Sequence, residues 1–340
     1  MSWVRWPALA LAVVGVGIIV GLGPPAPAQP ASSSDAVQLL HAATTAATHL
    51  SYSGELTVEW SDRGQLHQAQ TSADVVDGVV EVGDGGELAV SSGAQRWVGS
   101  TGNWALVLGP DVAAATPPHP DANWSLQTQR GPVIAGEPTT DVVVSDPHTG
   151  AARARYFIDR ANGALLRREV LDRNGHLVRE VSFDQLVALG TAPPPAPRPR
   201  HARRAEPTRL GSMPGGYDAP STLGRGYRLL GRYRQPDGTV QVFYGDGLFT
   251  LSLFEQRGTL DWASVPNGST QQVDGVTARL VATPTTSAVV WDARGVVTTC
   301  VSDAPPDQVM LAVDSLVHHD SSSSVGHDIA HFVLGPFGWN

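Results

Sequence analysis

The order of apolar and polar residues after position 34 predicts one helix followed by a long run of strands. Across Asp35–Leu50, apolar residues recur at spacings of three and four, which places their side chains on one face of a helix. The next segment, Ser51–Trp60, alternates instead, as expected for a strand with one buried face and one wet face. The large apolar side chains on its buried side are Tyr52, Leu56, Val58 and Trp60.

Short strands separated by turn residues continue as far as Leu189, which is typical of an antiparallel sheet. The best-defined of them are Tyr156–Ile158, Leu165–Leu171 and Leu177–Phe183. Two Asn-Gly pairs separate these strands, and Asn-Gly tolerates the positive φ angles that a tight hairpin requires. The sequence therefore predicts a mostly antiparallel α+β fold.

The composition changes abruptly at residues 191–209, where proline and arginine dominate. Such a stretch cannot form a core, and its prolines indicate a semi-rigid linker. Its basic residues have two interpretations: a solvated spacer, or an electrostatic contact with an anionic lipid or an acidic partner. The predicted organisation is a first domain (35–190), this linker, a smaller α+β domain (210–319), and a Ser-rich spacer with an apolar tail (320–340).

The N-terminus has the pattern of an export signal. Arg5 precedes an apolar or glycine run from Ala8 to Leu22, and Ala26 and Ala28 provide the small residues that a signal peptidase reads. Cleavage after Ala28 is one interpretation; retention as a membrane anchor through residues 3–22 is the other. In either case the rest of the chain is expected outside the cytoplasm, in the periplasm or cell envelope.

The net charge and the missing motifs exclude several classes of function. With 32 acidic and 23 basic residues the formal net charge is −9, which argues against nucleic acid as a partner. The usual motifs for nucleophilic, metal-dependent and nucleotide-dependent catalysis are missing, so we predict no catalytic residues and no cofactor. The histidines His318, His319, His327 and His331 suggest zinc, but no third ligand is evident, so no metal site is predicted.

The first domain carries many large apolar side chains for a sheet with few predicted helices to cover it. Uncovered apolar faces usually bind something. We therefore predict a cavity for an amphiphile, and the alternative is an ordinary core beneath the helix. The candidate cavity residues are Tyr52, Leu56, Val58, Trp60, Trp97, Trp104 and Phe157.

Three segments carry a family resemblance: Tyr52-Ser53-Gly54, Phe157-Ile158-Asp159, and the run Tyr244-Gly245-Asp246-Gly247-Leu248-Phe249. With them the chain resembles the MucB/RseB family of exported regulators that guard anti-sigma factors. The resemblance implies a half-barrel sheet like that of LolA and LppX with a covering helix, joined to a smaller α+β domain.

The same resemblance implies a function. The chain would bind the extracytoplasmic part of a membrane-spanning anti-sigma factor, modulate its proteolysis in envelope-stress signalling, and respond to a bound lipid or other amphiphile. A lipid or lipoprotein carrier that uses the same cavity is the alternative. Because a carrier needs only the first domain, we expect the second domain to bind the partner, with Phe243, Tyr244, Leu248 and Phe249 as candidate contacts.

Overall fold

A computed structural model describes residues 33–47, 50–76, 79–82, 88–92, 95–100, 103–108, 120–190, 208–217, 219–283 and 286–317. The predicted export signal, most of the Pro/Arg-rich linker, and the tail with its four histidines lie outside the described residues. Within the described part of the chain, no helix is both long and apolar enough to span a membrane.

The described chain is built from strands with one helix near each end. Helix α1 spans Ser33–Ala47 and helix α2 spans Pro306–Val317. The strands are β1 (Ser51–Asp62), β2 (Gln65–Val76), β3 (Val79–Val82), β4 (Leu88–Ser92), β5 (Gln95–Ser100), β6 (Asn103–Leu108), β7 (Ser125–Ile134), β8 (Glu137–Ser145), β9 (Ala152–Asp159), β10 (Leu165–Leu171), β11 (Leu177–Gly190), β12 (Thr208–Arg209), β13 (Thr222–Leu223), β14 (Tyr227–Arg234), β15 (Val240–Gly245), β16 (Thr250–Arg257), β17 (Ser269–Val273), β18 (Val276–Ala282), β19 (Ser287–Ala293) and β20 (Val296–Ser302).

The strands form two large open sheets and a small one. The first sheet has the order β3-β2-β1-β11-β10-β9-β8-β7, and β4, β5 and β6 form a separate three-stranded sheet. The second sheet has the order β12-β14-β15-β16-β20-β19-β18-β17, with β13 paired to β14. The mostly antiparallel α+β prediction is therefore confirmed.

The helices cover only parts of these sheets. Helix α1 contacts β7 and β8 at one edge of the first sheet, through Ala36 and Ala43. Helix α2 lies on β17 to β20 and buries Val309, Val313 and Leu316 against the second sheet. Buried side chains of both sheets belong to one contiguous core, so the second sheet covers a part of the first that α1 leaves open.

Several hairpins close with two residues at positive φ. These pairs are Arg63–Gly64, Ala135–Gly136, Asp274–Gly275 and Arg294–Gly295. Two consecutive positive φ angles define the type I′ turn, whose twist matches that of the flanking strands.

The two predicted Asn-Gly hairpin turns have a different geometry. Only the glycines, Gly163 and Gly175, have positive φ, so these turns are not of type I′. Both are longer and are organised by aspartates: Asp159 Oδ1 accepts a hydrogen bond from Ala161 N (3.0 Å), and Asp172 Oδ1 from Asn174 N (2.8 Å). The predicted strands do pair as hairpins, and in both turns an aspartate side chain accepts the backbone N–H groups.

Substitution of the exposed Arg294 tests how much a positive φ angle in a turn costs in stability. An L-residue with a β-carbon is disfavoured at its φ of 52°, and asparagine tolerates this region better. We expect Arg294→Asn to raise the free energy of unfolding by about 0.5–1 kcal/mol, measured by urea denaturation. The control Arg294→Ala removes the same charge but keeps the strain, so it should leave stability unchanged; an equal gain in both variants would contradict the explanation.

Candidate functional site

One face of the first sheet is apolar. The residues of this face follow from the strand pairing, because residues directly opposite each other on neighbouring strands point to the same side of the sheet. One row of neighbours across five strands is Val142, Tyr156, Arg168, Val181 and Val58. The next row on the same face is Leu126, Val144, Ala154, Val170, Arg179 and Trp60. We call the surface made by these two rows, with Leu56 and Phe183 beside them, the apolar face. It is interrupted only by Arg168 and Arg179.

Four of the predicted cavity residues lie in a single cluster of buried, contacting side chains. We call it the Tyr52 cluster, and its members are Tyr52, Leu56, Val58, Ile134, Phe157, Ala164, Leu166 and Phe183. Trp60 is half-buried and packs against its margin, where its ring stacks on His67 with centroids 5.3 Å apart. The alternation in β1 therefore identified side chains that do pack together in one buried apolar cluster.

Tyr52 is held by its neighbours on β11. Its ring meets Phe183 edge to face at 5.4 Å, and burial raises the pKa of its phenol to about 12. The adjacent Gly54 is required by close backbone approach, since a β-carbon there would lie 1.9 Å from the Gln185 carbonyl oxygen. The register of β1 and β11 shifts on both sides of the Gly54–Glu55 pair, and this irregular pairing brings the two backbones close at Gly54.

Phe157 enters the cluster under two arginines. The guanidinium groups of Arg155 and Arg167 lie 4.8 and 5.5 Å from its ring centroid, within cation–π range. Arg155 is fixed in turn by the fully buried Asp141, at 2.6 Å. Phe157 is thus shielded from solvent by a charged layer.

The other two cavity candidates are only partly described. Trp97 is paired with Leu106 and Trp104 with Gly99, both within the three-stranded sheet. Their side chains lie outside the described part of the structure. Their membership of an apolar cavity stays a prediction.

The candidate partner-contact residues of the second domain are mostly buried. Phe243, Tyr244 and Phe249 are at most 1% exposed, and Leu248 is half-buried. The Tyr244 hydroxyl donates to the Pro220 carbonyl oxygen (3.0 Å), and Phe243 packs edge to face on Tyr233. In this arrangement three of the four side chains hold the second sheet together and present no surface, so their partner role stays a prediction.

Phe249 marks the place where the two sheets meet. Its ring packs edge to face on Trp124 of the first domain at 5.7 Å, and the Arg168 guanidinium lies 5.8 Å from it. Arg168 donates from Nη2 to Asp303 Oδ2 at 2.8 Å. Burial by itself lowers the pKa of Arg168, but Tyr156 and Asp303 outweigh that effect and raise it. Arg168 is therefore a permanent cation at the centre of an apolar contact.

Further polar contacts surround this centre. Arg153 donates to both carboxylate oxygens of Asp307, at 3.0 and 2.9 Å, and Arg179 donates to Ser287 Oγ at 3.2 Å and to the Asp303 carbonyl oxygen at 3.3 Å. In one further contact the charges are exchanged: the arginine, Arg225, comes from the second domain and donates to Asp146 of the first at 2.8 Å. We call this set of contacts, with Arg168–Asp303, the sheet–sheet lock.

Sequence reasoning did not find the lock. All 23 basic residues of the sequence are arginine, so a single arginine was uninformative. A usable signal was present nonetheless: Arg168 and Arg179 occupy positions of strands whose alternation requires apolar residues. A charged residue there needs a buried partner of opposite charge, and register alone does not identify Asp303.

Asp246 lies beside the lock, directly after β15. Its carboxylate is fully buried; Oδ1 accepts from Leu248 N (2.9 Å) and Phe249 N (2.7 Å), and Oδ2 from Gln308 Nε2 (2.7 Å). Its carbonyl oxygen accepts from Asn123 Nδ2 of the first domain at 2.8 Å. Burial raises the pKa of Asp246 to about 6, although the two backbone N–H groups lower it.

Substitution of Asp246 by asparagine tests this shift. Because the folded-state pKa is raised, the carboxyl group contributes stability that is fully present below about pH 4 and is lost as the pH rises through about 6. The stability of Asp246→Asn relative to wild type should therefore increase by up to about 3 kcal/mol between pH 4 and pH 7.5. Urea denaturation at the two pH values measures it, and a pH-independent difference between the proteins would contradict it.

The opposite face of the first sheet is acidic. Glu59, Glu180 and Glu169 are successive neighbours across β1, β11 and β10, and Arg155 continues the row. Burial and the adjacent carboxylates raise the pKa of Glu180. Among the described residues, no three His, Cys, Asp or Glu side chains are grouped so that they hold a metal ion.

No protein-family model and no curated protein matches the sequence. Solved structures of MucB do resemble it. The structure of the Pseudomonas aeruginosa MucA/MucB complex matches with a TM-score of 0.47 and 20% identity, covering 82% of this chain and 96% of the other. A structure of MucB alone matches with a TM-score of 0.45 and 21% identity over 83% and 98% of the two chains.

A more distant similarity joins the chain to a LolA superfamily protein from Nitrosomonas europaea. Its TM-score is 0.22 and its identity 8%, over 80% of this chain and 91% of the other.

Proposed function

We propose that the protein is an exported regulator that binds the extracytoplasmic segment of a membrane-spanning anti-sigma factor and modulates its proteolysis. The resemblance of the sequence to MucB/RseB proteins extends over both domains, and this is the first support. The second is the sheet–sheet lock, because a second domain packed on the apolar face is unnecessary in a simple carrier. One of the similar solved structures is described as MucB in complex with the periplasmic part of MucA.

The lock is the observation that carries this proposal. A carrier needs its apolar face open to cargo, whereas here Phe249, Asp303 and Asp307 of the second domain lie on the first. A second domain in this position would block the entry of lipid into the cavity, which does not serve a carrier. A partner that contacts both domains, in contrast, requires them to be held in one defined arrangement.

Binding of the partner is tested directly. Titration of the full chain with the exported segment of the anti-sigma factor encoded in the same genome should give a complex with a dissociation constant in the micromolar range or below, typical of a specific interface. Because the chain carries a net charge of −9, a basic segment should associate more slowly at higher salt.

The matched control is a scrambled segment of the same composition and net charge, which should not bind. Equal binding of both peptides would reduce the interaction to non-specific electrostatics. In the presence of the full chain, the native segment should also be cleaved more slowly by its protease. No complex with the native segment would remove the regulator proposal.

We further propose that the Tyr52 cluster binds an amphiphile through Leu56, Val58 and Phe183, its members on the part of the apolar face beyond the lock. Leu56 is 6% exposed and packs on Phe183 across the strand pair. An arginine in place of Leu56 puts a charge in this dry environment at a cost of several kcal/mol. Leu56→Arg should therefore abolish copurification of lipid, measured by native mass spectrometry of the full chain.

Leu66→Arg is the matched control, since Leu66 is 62% exposed on the neighbouring strand β2. Lipid occupancy should be unchanged in that variant. If Leu56→Arg fails to fold, Val58→Thr introduces a hydroxyl of similar shape and should reduce occupancy. Full occupancy in a folded Leu56 or Val58 variant would make the cluster an ordinary core. Bound lipid without any anti-sigma complex would favour the carrier.

A further inference from the structure

The open edges of the two large sheets differ in how well they are protected against pairing with another strand. An edge strand exposes unpaired N–H and C=O groups, and proteins usually blunt it with charge, proline, a bulge or a very short length. Three of the four edges are blunted in this way. Strand β3 has only four residues, β7 contains Pro132 and an irregular pairing after Arg130, and β12 has only two residues. The fourth edge is β17.

Strand β17 has none of these protections. Its sequence, Ser-Thr-Gln-Gln-Val, contains no charged residue and no proline, and all five residues pair with β18 without a bulge. The side chains of Thr270, Gln271 and Gln272 are exposed. A regular, uncharged and exposed edge is the kind of edge to which an extended peptide adds as a further strand.

The turn between β17 and β18 determines which backbone groups of β17 point outward. Asp274–Gly275 is a two-residue type I′ turn, so the residues that flank it, Val273 and Val276, exchange both of their backbone hydrogen bonds. Along an antiparallel pair of strands, hydrogen-bonded and non-hydrogen-bonded pairs then alternate. The N–H and C=O groups of Thr270 and Gln272 therefore point away from β18, towards the open side.

These outward groups are available to another chain. Among the described residues, β17 is the last strand of its sheet, and none makes a hydrogen bond to the outward backbone groups of Thr270 or Gln272. The two residues thus offer two donors and two acceptors, and the rise of a strand separates them by about 7 Å. An extended peptide beside β17 has the same spacing of backbone groups and satisfies all four.

We propose that β17 binds an extended stretch of the polypeptide partner, which adds to the second sheet as one further strand. This inference rests on the regulator function proposed above and names the surface that the partner contacts. A second copy of this chain is a poorer occupant, because two molecules with a formal net charge of −9 repel each other. A basic extended segment is attracted by the same charge.

Replacement of Thr270 by proline tests one of the outward donors. Thr270→Pro removes an N–H group that β18 does not use, so the hairpin keeps its pairing, whereas an added strand loses a hydrogen bond and meets the proline ring. In titrations of the full chain, the variant should bind the exported anti-sigma segment about tenfold more weakly than wild type. Thr270→Ala is the matched control, because it keeps the N–H group and should bind like wild type. Equal affinities of the two variants would overturn the proposal.

Amide hydrogen exchange gives a second readout that needs no substitution. In the wild-type complex, exchange should slow at Thr270 and Gln272 and change little at Gln271, whose N–H group is already bonded to β18. If Thr270→Pro does not fold, a complex without this alternating protection overturns the proposal and leaves the regulator function standing. The absence of any complex overturns both. Protection that appears without the segment as the protein concentration is raised assigns the edge to a second copy and also overturns the proposal.

Discussion

The contact between the two sheets, centred on Arg168 and Asp303, is the interaction on which the rest of the structure depends. The arginine is surrounded by Tyr156 and Phe249 and is paired with Asp303 of the second sheet. Removing one partner of such a buried pair typically costs about 3–5 kcal/mol, since the other charge is left without compensation. The pair therefore specifies one arrangement of the two domains more strongly than apolar contact alone, which is not directional.

This contact divides the apolar face of the first sheet into a covered part and a part beyond it. The part near Arg168 and Arg179 is covered by the loops of the second sheet, and α1 covers the β7–β8 edge. The Tyr52 cluster lies beyond both.

The Asp246 segment links the second domain to the same contact. Its carboxylate holds the turn that carries Phe249, and its backbone carbonyl accepts from Asn123 of the first domain. Gln308 of α2 donates to the same carboxylate. One buried acid therefore connects α2, the turn between β15 and β16, and the residue before Trp124 in the first half of the chain.

The sequence by itself determined the elements of this protein and which residues face inward. The three-four spacing of Asp35–Leu50 predicted α1, and the alternation in Ser51–Trp60 predicted β1 and its buried side, because these patterns are local consequences of helix and strand periods. The position of Tyr52, Leu56 and Val58 in one apolar cluster follows from the same alternation.

Only the tertiary structure decided what those inward faces touch. Alternation cannot distinguish a face covered by a helix from one covered by a second sheet, since both exclude water equally well. The pairing of Arg168 with Asp303 joins residues 135 positions apart, and the burial of Phe243 and Phe249 depends on the same long-range packing. Such contacts are set by how the two sheets meet, and no period along the chain encodes that.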